Sequence, residues 1–343
     1  MFGFPIFFDA GLVVFIPIIF SVARRFGGSL LTYALPAAGA FAVMHAFVPP
    51  HPGPVASADL LGADVGLLVL VGLVIGLPTW FLASYLFGLW AGRRFALPVP
   101  PAAQAAEETD AVRPSFGAVL GILLLPLVLI SLNTVLNTLG IAGVVDAEAG
   151  WVQGLRLLGE TPVALLITVL VAMVVLGRGR SKSEIEQICN DSLGPVCAII
   201  LITGAGGMFG GVLRESGIGN ALAESLESAG LPLILAAFVI ATGLRVAQGS
   251  ATVALTTTAG LLSATVAATP GLSALELCFI VIAIACGSTV LSHVNDSGFW
   301  LVSRFFGMDE KTTLKTWTVM ETLIGLVGFA IAVAAYALSV SLL

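Results

Sequence analysis

The sequence predicts an all-α polytopic membrane protein, organised as an inverted repeat with re-entrant hairpins and broken helices. Three observations carry this expectation. The first is composition: 58% of the 343 residues are hydrophobic and 10% are charged, against about 25% charged in an average soluble domain. Mean hydropathy is +1.07, and so few charges cannot cover the exterior of a soluble globule. The second is that apolar runs recur along the whole chain, most near the roughly 20 residues that cross about 30 Å of hydrocarbon. The third is that two of these runs are interrupted by prolines, turn formers and polar side chains. Together they exclude a nucleic-acid binder, a secreted disulfide module and a soluble enzyme. The net charge of −6 resides mostly in loops. Cys189, Cys197, Cys278 and Cys286 have no metal-ligand spacing and are expected to pack as small apolar residues. No basic segment precedes the first apolar run, so a processed leader is not expected.

Taken in order, the apolar runs are Phe4–Val22, Leu30–Phe47, Val65–Gly88, Phe116–Gly143 and Pro162–Leu176, then Pro195–Leu213, Leu231–Leu244, Thr252–Ala268, Ala274–Leu291 and Trp317–Leu342. Residues 98–114, with Glu107, Glu108 and Asp110, form the most hydrophilic loop and are expected to link two repeats, 1–97 and 115–343. Arg178–Asp191 carries Ile185 and Ile188 at helical spacing and suits a surface helix.

Basic residues cluster at Arg24–Arg25, Arg93–Arg94, Arg178/Arg180/Lys182 and Arg304/Lys311/Lys315. The positive-inside rule places all four clusters on one side only if two segments turn back within the membrane. Phe4–Val22 is then the returning arm of one hairpin, and 231–268 is a second hairpin entered from the opposite side, with its tip near Ala247–Ala251. Two hairpins of opposite sense predict an inverted repeat, an architecture common among secondary transporters. Aligning His45 with His293, an offset of 248, brings the following spans into step. Both histidines lie in breaks, His45–Pro54 and Ser292–Trp300 (the latter within a broken helix at 274–303), that cannot continue as helix in lipid. Broken helices are tolerated at that depth only beside a cavity or inside protein.

Ionisable residues inside a membrane need a reason. Asp9, His45, Arg245, His293, Asp296 and Glu321 are the candidates, joined by Gln248 and Asn295. One reading is a single polar centre built from both breaks and both hairpin tips. Gly249, Ser250 and Thr252 would open a helix there, whose N-terminus attracts anions. The structural alternatives are that His45 and His293 each hydrogen-bond a carbonyl and hold a broken helix, Asp296 caps a helix, Arg245 neutralises an acid, His51 is conformational or interfacial and Glu321 sits near the interface beside Lys315. Asn133 and Asn137, one turn apart, read as interhelical hydrogen-bonding groups. Gly204–Gly207 and Gly210–Gly211 read as close-packing positions or a local unwinding. No HExxH, phosphate-binding loop or short-spaced carboxylate pair marks an enzyme or a metal site.

Gly3–Asp9, His45–Pro54, Leu244–Ala254, Ser292–Trp300 and Lys315–Thr322 resemble the motifs of the gluconate permease family, in the same order and over essentially the whole chain. The resemblance implies a bacterial inner-membrane, multi-pass symporter for gluconate or a related sugar acid, driven by protons, within a superfamily of inverted-repeat ion transporters. Members of the family carry further spans before the Gly-Phe-Pro segment, so the entering arm of the first hairpin and spans before it are expected to be missing here. The alternative is sodium-coupled uptake of another carboxylate, such as citrate or a dicarboxylate. No cofactor is expected beyond the coupling proton, or sodium on the alternative. The expected partners are a small anionic sugar acid, the proton and the bilayer, with homo-oligomerisation left open. The expected substrate-binding residues are His45, Arg245, Gln248, Ser250, Thr252, His293, Asn295 and Ser297. For proton coupling they are Asp296 working with His293, and then Asp9.

Overall fold

The computed structural model describes residues 8–100, 115–141, 145–146, 148–191, 193 and 231–342. Among the described residues every regular element is helical, as the composition demands. The expected span Pro195–Leu213, the glycines at 204–211 and Cys197 lie outside the described residues, as do most of the linker and the side chains of Asp9 and Asn137.

The chain divides into two compact units. The smaller comprises Asp64–Leu67 and Thr109–Leu201. It holds α6 (Phe116–Ile141), α7 (Gly150–Gly159), α8 (Thr161–Leu176) and a polar helical segment at 182–191. Asn133 of α6 acts between helices, as expected: it accepts from Arg156 Nε of α7 at 3.4 Å and donates to Glu160 at 3.5 Å.

The larger unit comprises Met1–Ala63, Leu68–Glu108 and Ile202–Leu343. Its first part runs through α1 (Phe8–Phe26), α2 (Leu31–Phe47), α3 (Pro52–Leu61) and α4 (Val65–Thr79, whose first turn counts with the smaller unit). A π-helical stretch, Trp80–Tyr85, then leads into α5 (Leu86–Arg94). Its second part holds α9 (Leu233–Gln248), α10 (Ala251–Ala268), α11 (Ala274–Thr289), α12 (Ser297–Phe306) and α13 (Glu310–Leu342). Among the described residues four stretches are long and apolar enough to cross a membrane: Leu31–Leu61, Val65–Arg94, Ala251–Ala268 and Glu310–Ser339. The pair Gly150–Gly159 and Pro162–Leu176 makes a fifth if taken as one span bent by 68°.

Local chemistry sets several ends beyond the apolar runs. The last helix starts at Glu310, well before Trp317, because the Asp309 carboxylate accepts the Thr312 N–H at 2.9 Å and caps the helix. The third span continues to Arg94, where Arg93 and Arg94 complement the negative helix end. The basic ends of α1 and α5 lie together, as the charge argument requires. Leu30 N–H donates to Leu97 O at 2.8 Å and Ser29 Oγ to Phe95 O at 2.7 Å.

The two breaks are followed by the same series of local events, with a spacing of 245 residues. His51 caps α3 by accepting from Gly53 N–H, and Asp296 caps α12 by accepting from Gly298 N–H. Each helix has 10 residues and ends on a left-handed glycine, Gly62 or Gly307. Ala63 then bonds back to Ala58 O, and Met308 to Ser303 O, both at 2.8 Å. Asp64 and Asp309 next accept from Leu67 and Thr312. The offset of 248 drawn from His45 and His293 does not hold here, because His45 lies inside the last turn of α2 whereas His293 lies in the break between α11 and α12.

Apolar side chains gain little by leaving lipid for protein, so helix association in a membrane depends on close packing. The element α11 carries that burden, with every residue from Cys278 to Thr289 buried. It packs on α9 on one side and α13 on another. At Gly287 a Cβ would stand 2.8 Å from the Ala241 Cβ and 3.1 Å from the Thr242 nitrogen, so the α9 backbone occupies that space. Gly287→Val should lower the thermal midpoint of the detergent-purified protein by several degrees or abolish its monodisperse peak. Gly243→Ala, where a Cβ meets nothing within 4 Å, should leave both unchanged.

Candidate functional site

The site is built around the turn between α9 and α10. Gly249 ends α9 at φ +83° and Ser250 starts α10 by accepting the Val253 N–H at 3.3 Å. A Cβ on Gly249 would sit 2.6 Å from the Asn295 carbonyl carbon and 2.7 Å from Asn295 Cγ. The turn therefore lies directly on the second break. Three further contacts fix this approach. Asn295 Nδ2 donates to Val246 O at 2.9 Å, His293 Nε2 lies 3.2 Å from the same oxygen, and Arg245 pairs with Asp296.

Arg245 is 2% exposed, and its Nη2 meets Asp296 Oδ2 at 2.6 Å. Its Nη1 donates to the Gly249 carbonyl, while Nε has no hydrogen-bond partner. Asp296 is fully engaged. Oδ2 also accepts from the Ser292 hydroxyl, and Oδ1 accepts the Gly298 N–H at 3.1 Å. Ser292 extends the network to α13: its hydroxyl accepts from Trp317 Nε1 at 2.7 Å, and its carbonyl accepts from Thr318 Oγ1. The two alternatives for these residues therefore hold together: Asp296 caps α12, and Arg245 neutralises it.

The first break reaches the same turn from the other side. His45, in the last turn of α2, lies 3.2 Å by Nε2 from Thr252 Oγ1 in the first turn of α10. Its Nδ1 receives the Phe8 N–H at 3.4 Å. A ring that accepts at Nδ1 and is neutral carries its proton at Nε2, so His45 is assigned as the donor to Thr252. The rings of His45 and His51 stand 3.7 Å apart, and Phe8 also packs on Trp317 at 5.2 Å. The α9–α10 turn thus stands between the two breaks.

Of the sequence-derived residues, the structure brings His45, Arg245, Thr252, His293, Asn295 and Asp296 together around this turn. Ser250 spends its hydroxyl on the helix cap. Gln248 and Ser297 are exposed beside the turn. Asp9 lies in the first turn of α1, next to Phe8. Glu321, expected near the interface beside Lys315, is 4% exposed and within the electrostatic reach of Arg245 and Asp296. Ser292, Trp317 and Thr318 were absent from the expected site. The signal for them was helical spacing, since Trp317, Thr318 and Glu321 share one face of α13.

Broken helices meeting around a buried ion pair, among several apolar helices, define a multi-pass helical membrane protein. The chain belongs to the family described as GntP family permease, whose pattern matches residues 1–338. It is 39% identical to a gluconate permease of Pseudomonas aeruginosa, over 95% of this chain and 72% of the relative. It is 38% identical to the low-affinity gluconate transporter of Escherichia coli K12, over 97% of this chain and 74% of that protein. The inner membrane permease YgbN of the same organism is also 38% identical, over 96% and 74%. The family is one of transporters, not of enzymes.

Gly249 answers two demands at once, a left-handed backbone and close approach to Asn295. Left-handed backbone costs about 1–2 kcal/mol for a residue with a side chain, and the contact adds to it. Gly249→Ala should lower the unfolding midpoint in detergent and impair transport. A variant with full stability would contradict the packing of this turn on the second break.

Proposed function

We propose that the chain carries gluconate or a related sugar acid across the bacterial inner membrane, coupled to protons. The observation that carries this reading is Arg245, a buried cation whose Nε remains open at the meeting point of two helix breaks. An anionic carboxylate is the ligand chemistry that such a donor recognises, and relatives named for gluconate support the same class. On this reading the carboxylate approaches Arg245 and the start of α10. His45 and Thr252 orient it, and Gln248, His293, Asn295 and Ser297 bond the sugar hydroxyls. Ser250 contributes the helix start rather than a free hydroxyl. Asp296 holds Arg245 in place until a substrate carboxylate competes for it.

The proposed organisation is two inverted repeats, 1–97 and 115–343 with 98–114 as linker, and the matched caps at His51 and Asp296 support it. Residues 231–268 then form the re-entrant hairpin, and 274–303 the broken helix of the second repeat.

The test is uptake of labelled gluconate into proteoliposomes holding the purified chain. Acid outside should drive accumulation above the external concentration, and a protonophore should abolish it. Replacing sodium by choline at fixed pH should change nothing; dependence on sodium would contradict proton coupling. Failure of any sugar acid to enter or exchange would contradict the substrate class. Thr252→Val should raise the half-saturation concentration about fivefold, the equivalent of one lost hydrogen bond of about 1 kcal/mol.

A further inference from the structure

We propose that Glu321 is the group that takes up and releases the coupling proton, an assignment that depends on the proton-coupled reading above. Glu321 lies one turn along α13 from Trp317 and Thr318, on the face that both residues press against Ser292. It is buried, and its Oε1 has no hydrogen-bond partner. A buried polar atom without a partner is rare enough to require an explanation. Asp296, the carboxyl that the sequence favoured, is occupied differently. Its two oxygens already receive Arg245, Ser292 and the Gly298 N–H, so a proton arriving there must displace a donor. On Glu321 Oε1 a proton displaces none. His293 is engaged with Val246 O.

The surroundings give the proton a reason to follow the substrate. The charges that reach Glu321 are those of Arg245, from the end of α9, and Asp296, from the head of α12. Among the elements packed on α13, α2 brings His45 and α11 brings the buried Cys286. The π-helical stretch brings Tyr85, and α12 and α5 bring Arg304, Arg93 and Arg94, all four exposed. When a substrate carboxylate takes a share of Arg245, one more negative charge enters a water-poor cluster already holding two carboxyl groups. A proton on Glu321 restores the balance, so the anion and the proton move together. The step is a proton gained from water on one side and returned on the other, with no bond of the substrate broken.

The experiment compares wild type, Glu321→Gln, Asp296→Asn and Glu310→Gln (an exposed carboxyl at the start of the same helix) in proteoliposomes. Two readouts are taken: exchange of labelled for unlabelled gluconate at equal pH, and accumulation driven by a pH gradient. A wild type that exchanges but does not respond to the gradient refutes the proton-coupled reading itself, whatever the variants do. With a responsive wild type, Glu321→Gln should keep exchange within about threefold and lose at least tenfold in driven accumulation, with Glu310→Gln unchanged. Gradient-driven accumulation by Glu321→Gln equal to wild type overturns the proposal, as does its loss in Asp296→Asn alone. If Glu321→Gln loses exchange as well, Glu321→Asp decides. Recovery of driven uptake with a displaced pH profile supports the assignment, and its failure to recover overturns it.

Discussion

The ion pair between Arg245 and Asp296 organises the larger unit. Each partner sits at a helix end of the sign that suits it: Arg245 in the last turn of α9, where free carbonyls leave partial negative charge, and Asp296 at the first N–H groups of α12. Removing two charges from water is expensive, and their mutual attraction offsets that cost only with further hydrogen bonds. Those bonds are present, from Ser292, Gly298 and the Gly249 carbonyl. The pair therefore does more to specify an arrangement than to add stability. It fixes which part of the α9–α10 turn meets which part of the second break.

The first break lacks this charge pair although its local geometry is the same. His51 stands where Asp296 stands, with the same bond to the N–H two residues on. The two sides of the site consequently differ in chemistry: one is an ionic cluster, the other a pair of imidazole rings and a threonine hydroxyl. On the proposed reading, Arg245, His45 and Thr252 meet the substrate carboxylate, and charge balance rests on Arg245, Asp296 and their neighbour on α13.

Much of this was legible in the sequence because membrane helices advertise themselves by apolar length, and breaks by proline and polar clusters. His45, Arg245 and Asp296 stood out since each is costly in lipid, and Thr252 as a hydroxyl at the start of a helix. The Arg245–Asp296 pairing was not legible, because 51 positions separate the partners and nothing in the spacing joins them. The burial of Glu321 was not legible, because its neighbour in sequence, Lys315, lies on another part of the helix and is exposed. The repeat was visible in outline only. The histidines offered the obvious anchor, but His45 sits in the last turn of α2 and His293 in the second break, while the matching events are caps and left-handed glycines that carry no hydropathy signal.

The claim that this pair joins the turn to the second break is tested most directly by a double-mutant cycle read as unfolding free energy in detergent. Removing one partner of a buried pair typically costs about 3–5 kcal/mol because the other charge is left behind. The account predicts that Arg245→Met and Asp296→Leu each destabilise on that scale, and that the double variant is more stable than either single one. Additivity within about 0.5 kcal/mol, the behaviour of sites that do not touch, would contradict it.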